Sequence, residues 1–358
     1  MSWVAAWATA PMGGAPVVGP FDEGFPGGHT IRQVVPLAAG GSAVRVRLTN
    51  AYGVQPLHIA SVRIEGVAVR FDGDRGVTVP ASSDVVSDEL ELTMPPLADV
   101  VVELDVAEAT GHPTRGLSGV TSGDAGAYAW FLSGIDVLTD GDRGCAVAIG
   151  DSLTAGGRDS WPGVTAARGE PIVNVGIGGN RLLTTSPCFG MGGLARLERD
   201  VFSQTAVRTV VAMWTNDLGM YGATPESIKA ISASVGYDVP FHCFDPTSAG
   251  TDEDMIAGYT ELIAEAHMQG LRVILGTTPP FKGSFAWRVD RGAARRAVNE
   301  WVLTSGAADG TIDFAAALAD PDDRERLRPD YDRGDHLHPS PAGSRAMADA
   351  FFSDVGPF

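Results

Sequence analysis

The chain has 358 residues, 44% of them hydrophobic, and a formal net charge of −18. That length suggests about two domains, and the apolar share suffices for ordinary globular cores. The acidic balance disfavours nucleic acid and anionic membrane surfaces as partners, and no stretch approaches the ~20 apolar residues that a stable membrane span needs.

The opening Met1-Ser-Trp-Val-Ala-Ala-Trp7 has no basic region and no long apolar run, so no secretion signal is expected in the chain as given, and localisation stays open. Residues 1–140 read as β-rich. Residues 42–49 alternate apolar and polar side chains, as a half-buried antiparallel strand does. Residues 58–64 and 100–106 repeat the pattern, with Gly and Pro clusters such as Pro26-Gly27-Gly28 between strands. Short strands at this spacing predict an antiparallel β-sandwich over 1–140.

The pattern changes near residues 140–143. Strand-like apolar runs at 146–149, 172–175, 209–213 and 272–275 now alternate with helical stretches, and 311–314 is a weaker strand candidate. Helices are predicted over 255–269, with Gly270 as its stop, over 291–304 and over 342–352. Such alternation predicts an α/β domain over 141–358, with a parallel sheet covered on both faces.

Three cysteines are present, and no C-x-x-C pair occurs, so a zinc site is not expected. Cys145 falls in the first apolar run and reads as a core residue. Cys188 and Cys243 lie in loop-like sequence, where a disulfide is one open possibility. Lys229 and Lys282 are the only lysines, a bias of composition.

Four segments carry the chemistry of acyl transfer, which needs a nucleophile, a base, an orienting group and oxyanion donors. Gly150-Asp151-Ser152-Leu153 follows the first buried run, and Ser152 is a candidate nucleophile or, more plainly, a helix N-cap. Asn174-Val-Gly-Ile-Gly-Gly-Asn180 offers Gly179 as a backbone donor, or as a tight turn that needs positive φ. Trp214-Thr-Asn216-Asp217 offers the Asn216 amide, with an Asx turn as the plainer reading. Asp335-His-Leu-His338-Pro339 places an Asp three residues before a His that it can fold back to hold. All four lie beyond predicted strands or in the last loop, where doubly wound folds gather their ligand sites.

In order and content these blocks resemble those of the SGNH hydrolases, also called GDSL esterases and lipases, over residues 144–352. The stretches Thr30-Ile-Arg-Gln33 and Val44-Arg-Val-Arg-Leu-Thr-Asn50 resemble, more loosely, the β-domain that precedes the hydrolase in one bacterial branch. The resemblance implies a three-layer α/β/α fold with a flavodoxin-like parallel sheet. It implies Ser152 as nucleophile, His338 as base and Asp335 as its orienting group. Ser152 N–H, Gly179 N–H and the Asn216 side chain would form the oxyanion hole, with no metal and no cofactor.

Two places depart from the family pattern. Trp214 stands where the third block usually has Gly, and it either narrows the acyl pocket or simply packs. The stretch 219–250 is long and carries Tyr221, Tyr237, Phe241, His242, Cys243 and Phe244, so it reads as a substrate wall, a lid or a plain insertion. Trp214 and Tyr221 are the candidate pocket residues. Asp151 is expected to make a structural hydrogen bond. Asp332 lies six residues from His338, and His336 is too close to Asp335 to be held by it. His242 reads as a surface residue and Trp161 as packing.

The expected function is hydrolysis of carboxylic esters with short acyl groups, O-acetyl carbohydrate among them. Rival expectations are a lipase or polyester hydrolase, an acyltransferase with the same residues, and an inactive glycan-binding protein. The expected partner is a small-molecule or glycan ester, without nucleic acid or stable membrane association.

Overall fold

The structure is a computed structural model that describes all residues except 14–22, 118–119, 121–127, 142–143, 221–223, 236–237, 244–249 and 358. The N-terminal strands are β1 (Ser2–Ala8), β2 (Thr30–Pro36), β3 (Val44–Thr49), β4 (Leu57–Ile64), β5 (Val67–Val69), β6 (Val77–Val79), β7 (Asp84–Val86), β8 (Asp99–Val106), β9 (Arg115–Gly116), β10 (Ala129–Trp130) and β11 (Leu132–Thr139). They form two main antiparallel sheets, ordered β1-β11-β3-β7 and β2-β8-β4-β5, with β6 also on β4 and β9–β10 as a separate ribbon. Alternation decides which side faces inward. In β8, Val100, Val102, Leu104 and Val106 are buried while Asp99 is exposed and Val101, Glu103 and Asp105 are only half-buried.

The second half contains β12 (Cys145–Gly150), α1 (Trp161–Ala167), β13 (Ile172–Asn174), β14 (Val207–Met213), α2 (Asn216–Met220), α3 (Pro225–Val235), α4 (Asp252–Met268), β15 (Arg272–Gly276), α5 (Val289–Thr304), β16 (Gly310–Ile312), α6 (Phe314–Leu318) and α7 (Pro341–Asp354). The strands pair in parallel in the order β13-β12-β14-β15-β16. This is the flavodoxin-like order 2-1-3-4-5.

All six residues of β12 are buried, and they divide between the two faces of the sheet. Ala146 and Ala148 join one core with Trp161 of α1, Phe314 of α6 and Phe351 of α7. Cys145, Val147 and Ile149 join the other, with Tyr259 of α4 and Val298 of α5. That second core runs without a break into the sandwich, through Val4 and Trp7 of β1. The backbone joins them too, since Ala5 N–H donates to Thr205 C=O at 3.0 Å. Helices α4 and α5 therefore share one face of the parallel sheet with the β domain, and α1, α6 and α7 cover the other.

The helix ends follow local chemistry. Thr251 and Asp254 form a capping box, so α4 starts three residues before the predicted 255, and Gly270 beyond its end has φ +73°. Residues 311–314 are only partly strand. The Asp313 side chain accepts from Ala316 N–H, so Phe314 opens α6.

Candidate active site

Gly150 ends β12 at a close approach: a Cβ there would lie 2.3 Å from Met213 O. The next residue, Asp151, is fully buried and holds the turn together. Its carboxylate accepts from Leu153 N–H at 3.0 Å, Thr215 N–H at 2.7 Å and Asn216 N–H at 3.2 Å. It is the structural hydrogen-bonding role read from sequence. Burial pushes this carboxyl above the usual carboxylate range against the pull of those N–H groups. Ser152 does not cap a helix, because α1 begins at Trp161 and its cap is Ser160. Its hydroxyl is free to meet another group.

That group is His338, whose Nε2 lies 2.8 Å from Ser152 Oγ. On the other side of the ring, Nδ1 lies 2.6 Å from Asp335 Oδ2. Nδ1 facing a carboxylate carries the proton and donates, which leaves Nε2 to accept from the serine hydroxyl. Asp335 Oδ1 accepts the backbone N–H groups of Leu337 at 3.0 Å and His338 at 2.8 Å. Burial alone would raise the Asp335 carboxyl. The hydrogen bonds from the His338 ring and backbone outweigh it and hold the group well below the usual carboxylate range. Leu337, buried with Phe281 and Ala286, anchors the loop between the two histidines.

The glycine-rich turn sits beside Ser152, since Ile177 N–H donates to Gly150 C=O at 3.1 Å. Gly179 has φ +75°, and a Cβ there would lie 2.3 Å from Phe189 Cδ1, so both backbone and space require glycine. The N–H groups of Ser152 and Gly179 have no acceptor among the described residues. Asn216 opens α2, and its Nδ2 donates to Asn180 C=O at 3.1 Å, leaving its second N–H for another acceptor.

Sequence reading missed the buried network behind these donors. Arg196 is fully buried and donates to Gly150 C=O at 3.1 Å, Val175 C=O at 2.7 Å and Asn180 Oδ1 at 3.0 Å, with Asp200 Oδ2 at 3.2 Å. It thus ties the ends of the first two strands to the glycine turn. Asp217, also fully buried, accepts from Leu182 N–H at 2.8 Å and Leu183 N–H at 3.0 Å. Burial raises its carboxyl to about 6, against those N–H groups. The local signal was slight: an Asp after Asn216 and an Arg in a helical stretch.

Of the two readings of Trp214, the structure favours packing: its indole is fully buried, standing where a Cβ on Gly193 would lie 2.4 Å from Cζ2. Its Nε1–H donates to Asn180 Oδ1 at 3.3 Å. The side chain packs behind the site because Gly193 opens a space for it there. Tyr221, Tyr237 and Phe244 lie outside the described residues. Cys188 and Cys243 are joined by a disulfide, which staples the 219–250 stretch to the loop carrying Phe189. Exposed His242 is close to both sulfurs, but they are bonded to each other, so the three residues do not make a thiolate ligand set. Asp332 does not reach His338. It pairs with His336 instead, Oδ2 to Nδ1 at 2.6 Å, a partnership at spacing four. Trp161 packs between Phe314 and Phe351, as read from sequence.

A profile of the GDSL-like lipase/acylhydrolase family matches residues 148–346, more than half of the chain. Among solved structures the chain is similar to a GDSL-like lipase of Bacteroides thetaiotaomicron (18% identity, 58% of this chain and 86% of that one, TM-score 0.41). It is similar to an acetylxylan esterase of Geobacillus stearothermophilus (21%, 58% and 92%, 0.39). A third is a member of the lipolytic G-D-S-L family from Veillonella parvula (17%, 58% and 96%, 0.38). No curated protein matches the chain. With its parallel sheet, its N-terminal β domain and the matched blocks, the chain belongs to the GDSL-like lipase/acylhydrolase family of ester hydrolases.

Proposed function

We propose that this chain is a serine esterase that cleaves short-acyl carboxylic esters through an acyl-enzyme, with O-acetylated carbohydrate as its substrate class. The continuous contact Ser152 Oγ to His338 Nε2 at 2.8 Å, and His338 Nδ1 to Asp335 Oδ2 at 2.6 Å, carries the reading. In the first step Ser152 Oγ attacks the ester carbonyl carbon as His338 Nε2 takes the hydroxyl proton. The tetrahedral oxyanion is met by Ser152 N–H, Gly179 N–H and the Asn216 amide. The carbon–oxygen bond to the alcohol then breaks, and His338 returns its proton to the leaving oxygen. Water, deprotonated by His338, attacks the acyl-Ser152 and releases the acid. Asp335, held ionised, keeps the ring oriented and stabilises its protonated form.

The same reading divides the chain at residues 140/141, between the end of β11 at Thr139 and the start of β12 at Cys145. The test is a panel of p-nitrophenyl esters from acetate to palmitate beside acetylated oligosaccharides. Highest kcat/KM on acetyl esters is expected; a preference for long chains would overturn the acyl assignment.

A further inference from the structure

A cavity of ≈ 390 Å³ opens beside Ser152 and His338, walled by the segment before α1 and by the His338 loop. Gly179 and Asn216 are not among its lining residues. It therefore lies on the His338 side of Ser152, away from the oxyanion donors. Acid–base chemistry fixes what belongs there. His338 must hand its proton to the leaving oxygen, so the alcohol half of the ester occupies its side.

Two charged residues line this cavity, Arg333 and Asp159, one from each wall. Neither side chain has a hydrogen-bond or ion-pair partner among the described residues. Three charges adjacent in sequence are already paired. Asp332 holds His336 Nδ1 at 2.6 Å, and Asp335 holds His338 Nδ1 at 2.6 Å. Arg158, beside Asp159, is paired with Asp99 at 2.6 Å. The backbone of Arg333 is fixed next to the base, its N–H donating to His338 C=O at 3.0 Å. The loop thus fixes the root of the Arg333 side chain, and the exposed guanidinium, like the exposed Asp159 carboxylate, is left unneutralised at the cavity's rim in a chain whose net charge is −18.

We propose that this cavity is the alcohol subsite and that Arg333 binds a carboxylate on the alcohol, while Asp159 accepts hydrogen bonds from its hydroxyls. The inference rests on the esterase reading above. A guanidinium offers a planar pair of donors that matches a carboxylate, whereas the Asp159 carboxylate suits hydroxyl donors and repels a second anion. The ligand class that satisfies both walls is a polyhydroxy acid, such as an acetylated uronic acid, rather than a neutral sugar or an alkyl alcohol.

The experiment compares acetylated methyl galacturonoside with acetylated methyl galactoside, which differ in carboxylate against hydroxymethyl, and runs p-nitrophenyl acetate on the same preparations. The uronate is expected to be favoured about 10-fold in kcat/KM, from one charge-assisted contact. Arg333→Ala and Arg333→Gln should bring the ratio close to one, and Arg333→Lys should restore part of it. Because both rates come from one preparation, the ratio does not depend on how much of a variant is folded. Turnover of p-nitrophenyl acetate with equal rates on the two sugars, or a ratio unchanged by Arg333→Ala, would overturn the subsite alone. No turnover of any of the three would overturn the esterase reading and the subsite with it.

Discussion

Asp151 Oδ2 accepts the backbone N–H of Thr215 at 2.7 Å, which ties the residue before the nucleophile to the turn that presents Asn216. One buried carboxylate thereby sets the spacing between two of the four blocks. Asp151→Asn replaces an acceptor with an amide nitrogen facing N–H groups. It should cost about 2–3 kcal/mol of unfolding free energy, since a buried donor left unpaired costs about 1–3 kcal/mol. Chemical denaturation of both proteins checks this, and a loss under half a kcal/mol (about the noise of surface substitutions) would speak against the role.

Gly179→Ala should lose about 10²–10³ in kcat, the typical worth of one oxyanion donor. The added Cβ would lie 2.3 Å from Phe189 Cδ1 at φ +75°, so the turn must shift. KM for p-nitrophenyl acetate should change far less than kcat. A rise in KM with kcat intact would instead mark Gly179 as a binding-wall residue.

Asp217 gives a pH dependence of stability. Burial raises its carboxyl from 3.8 to about 6 in the folded state. The native state then binds the proton more tightly than the unfolded chain does. Its contribution to stability is highest below pH ~4, falls as pH rises to ~6 and levels off above. Two units correspond to about 3 kcal/mol. The stability of the parent minus that of Asp217→Asn, followed from pH 4 to 7, should fall by that order. A difference that is flat with pH would show that Asp217 titrates as an exposed carboxylate does.

The cysteines can be counted by chemistry. Cys145 is buried, and burial, with Asp136 nearby, pushes its thiol up to about 12. Cys188 and Cys243 are bonded to each other. The native protein should therefore show no thiol reactive to Ellman's reagent. The unfolded protein without reductant should show only Cys145. A reactive thiol in the native state would contradict the burial of Cys145 or the disulfide.

The blocks that lie next to strongly apolar runs were legible in the sequence. β12 announces itself because all of its residues are buried, and Ser152, Gly179 and Asn216 follow strands whose ends chain order alone locates. What stayed hidden depends on contacts between distant segments. Whether Trp214 walls a pocket or packs stays open in the sequence, because Gly193, which supplies the space for its indole, lies on a separate loop. Arg196 sits in no recognisable pattern, since its partners are the carbonyls of Gly150 and Val175. Asp332 was weighed only against His338, and its real partner, His336, is set by a left-handed backbone at φ +61°. β1 and β11 pair across nearly the whole N-terminal half, a long-range match that no local window reveals.

The central claim is that Ser152 becomes acylated. Quenching the protein during turnover of p-nitrophenyl acetate and mapping peptides by mass spectrometry tests it directly. One acetyl group on Ser152 is expected, absent from Ser152→Ala, whose kcat should fall by about 10⁴ or more. An acetyl group on another residue, or substantial turnover by Ser152→Ala, would contradict the claim.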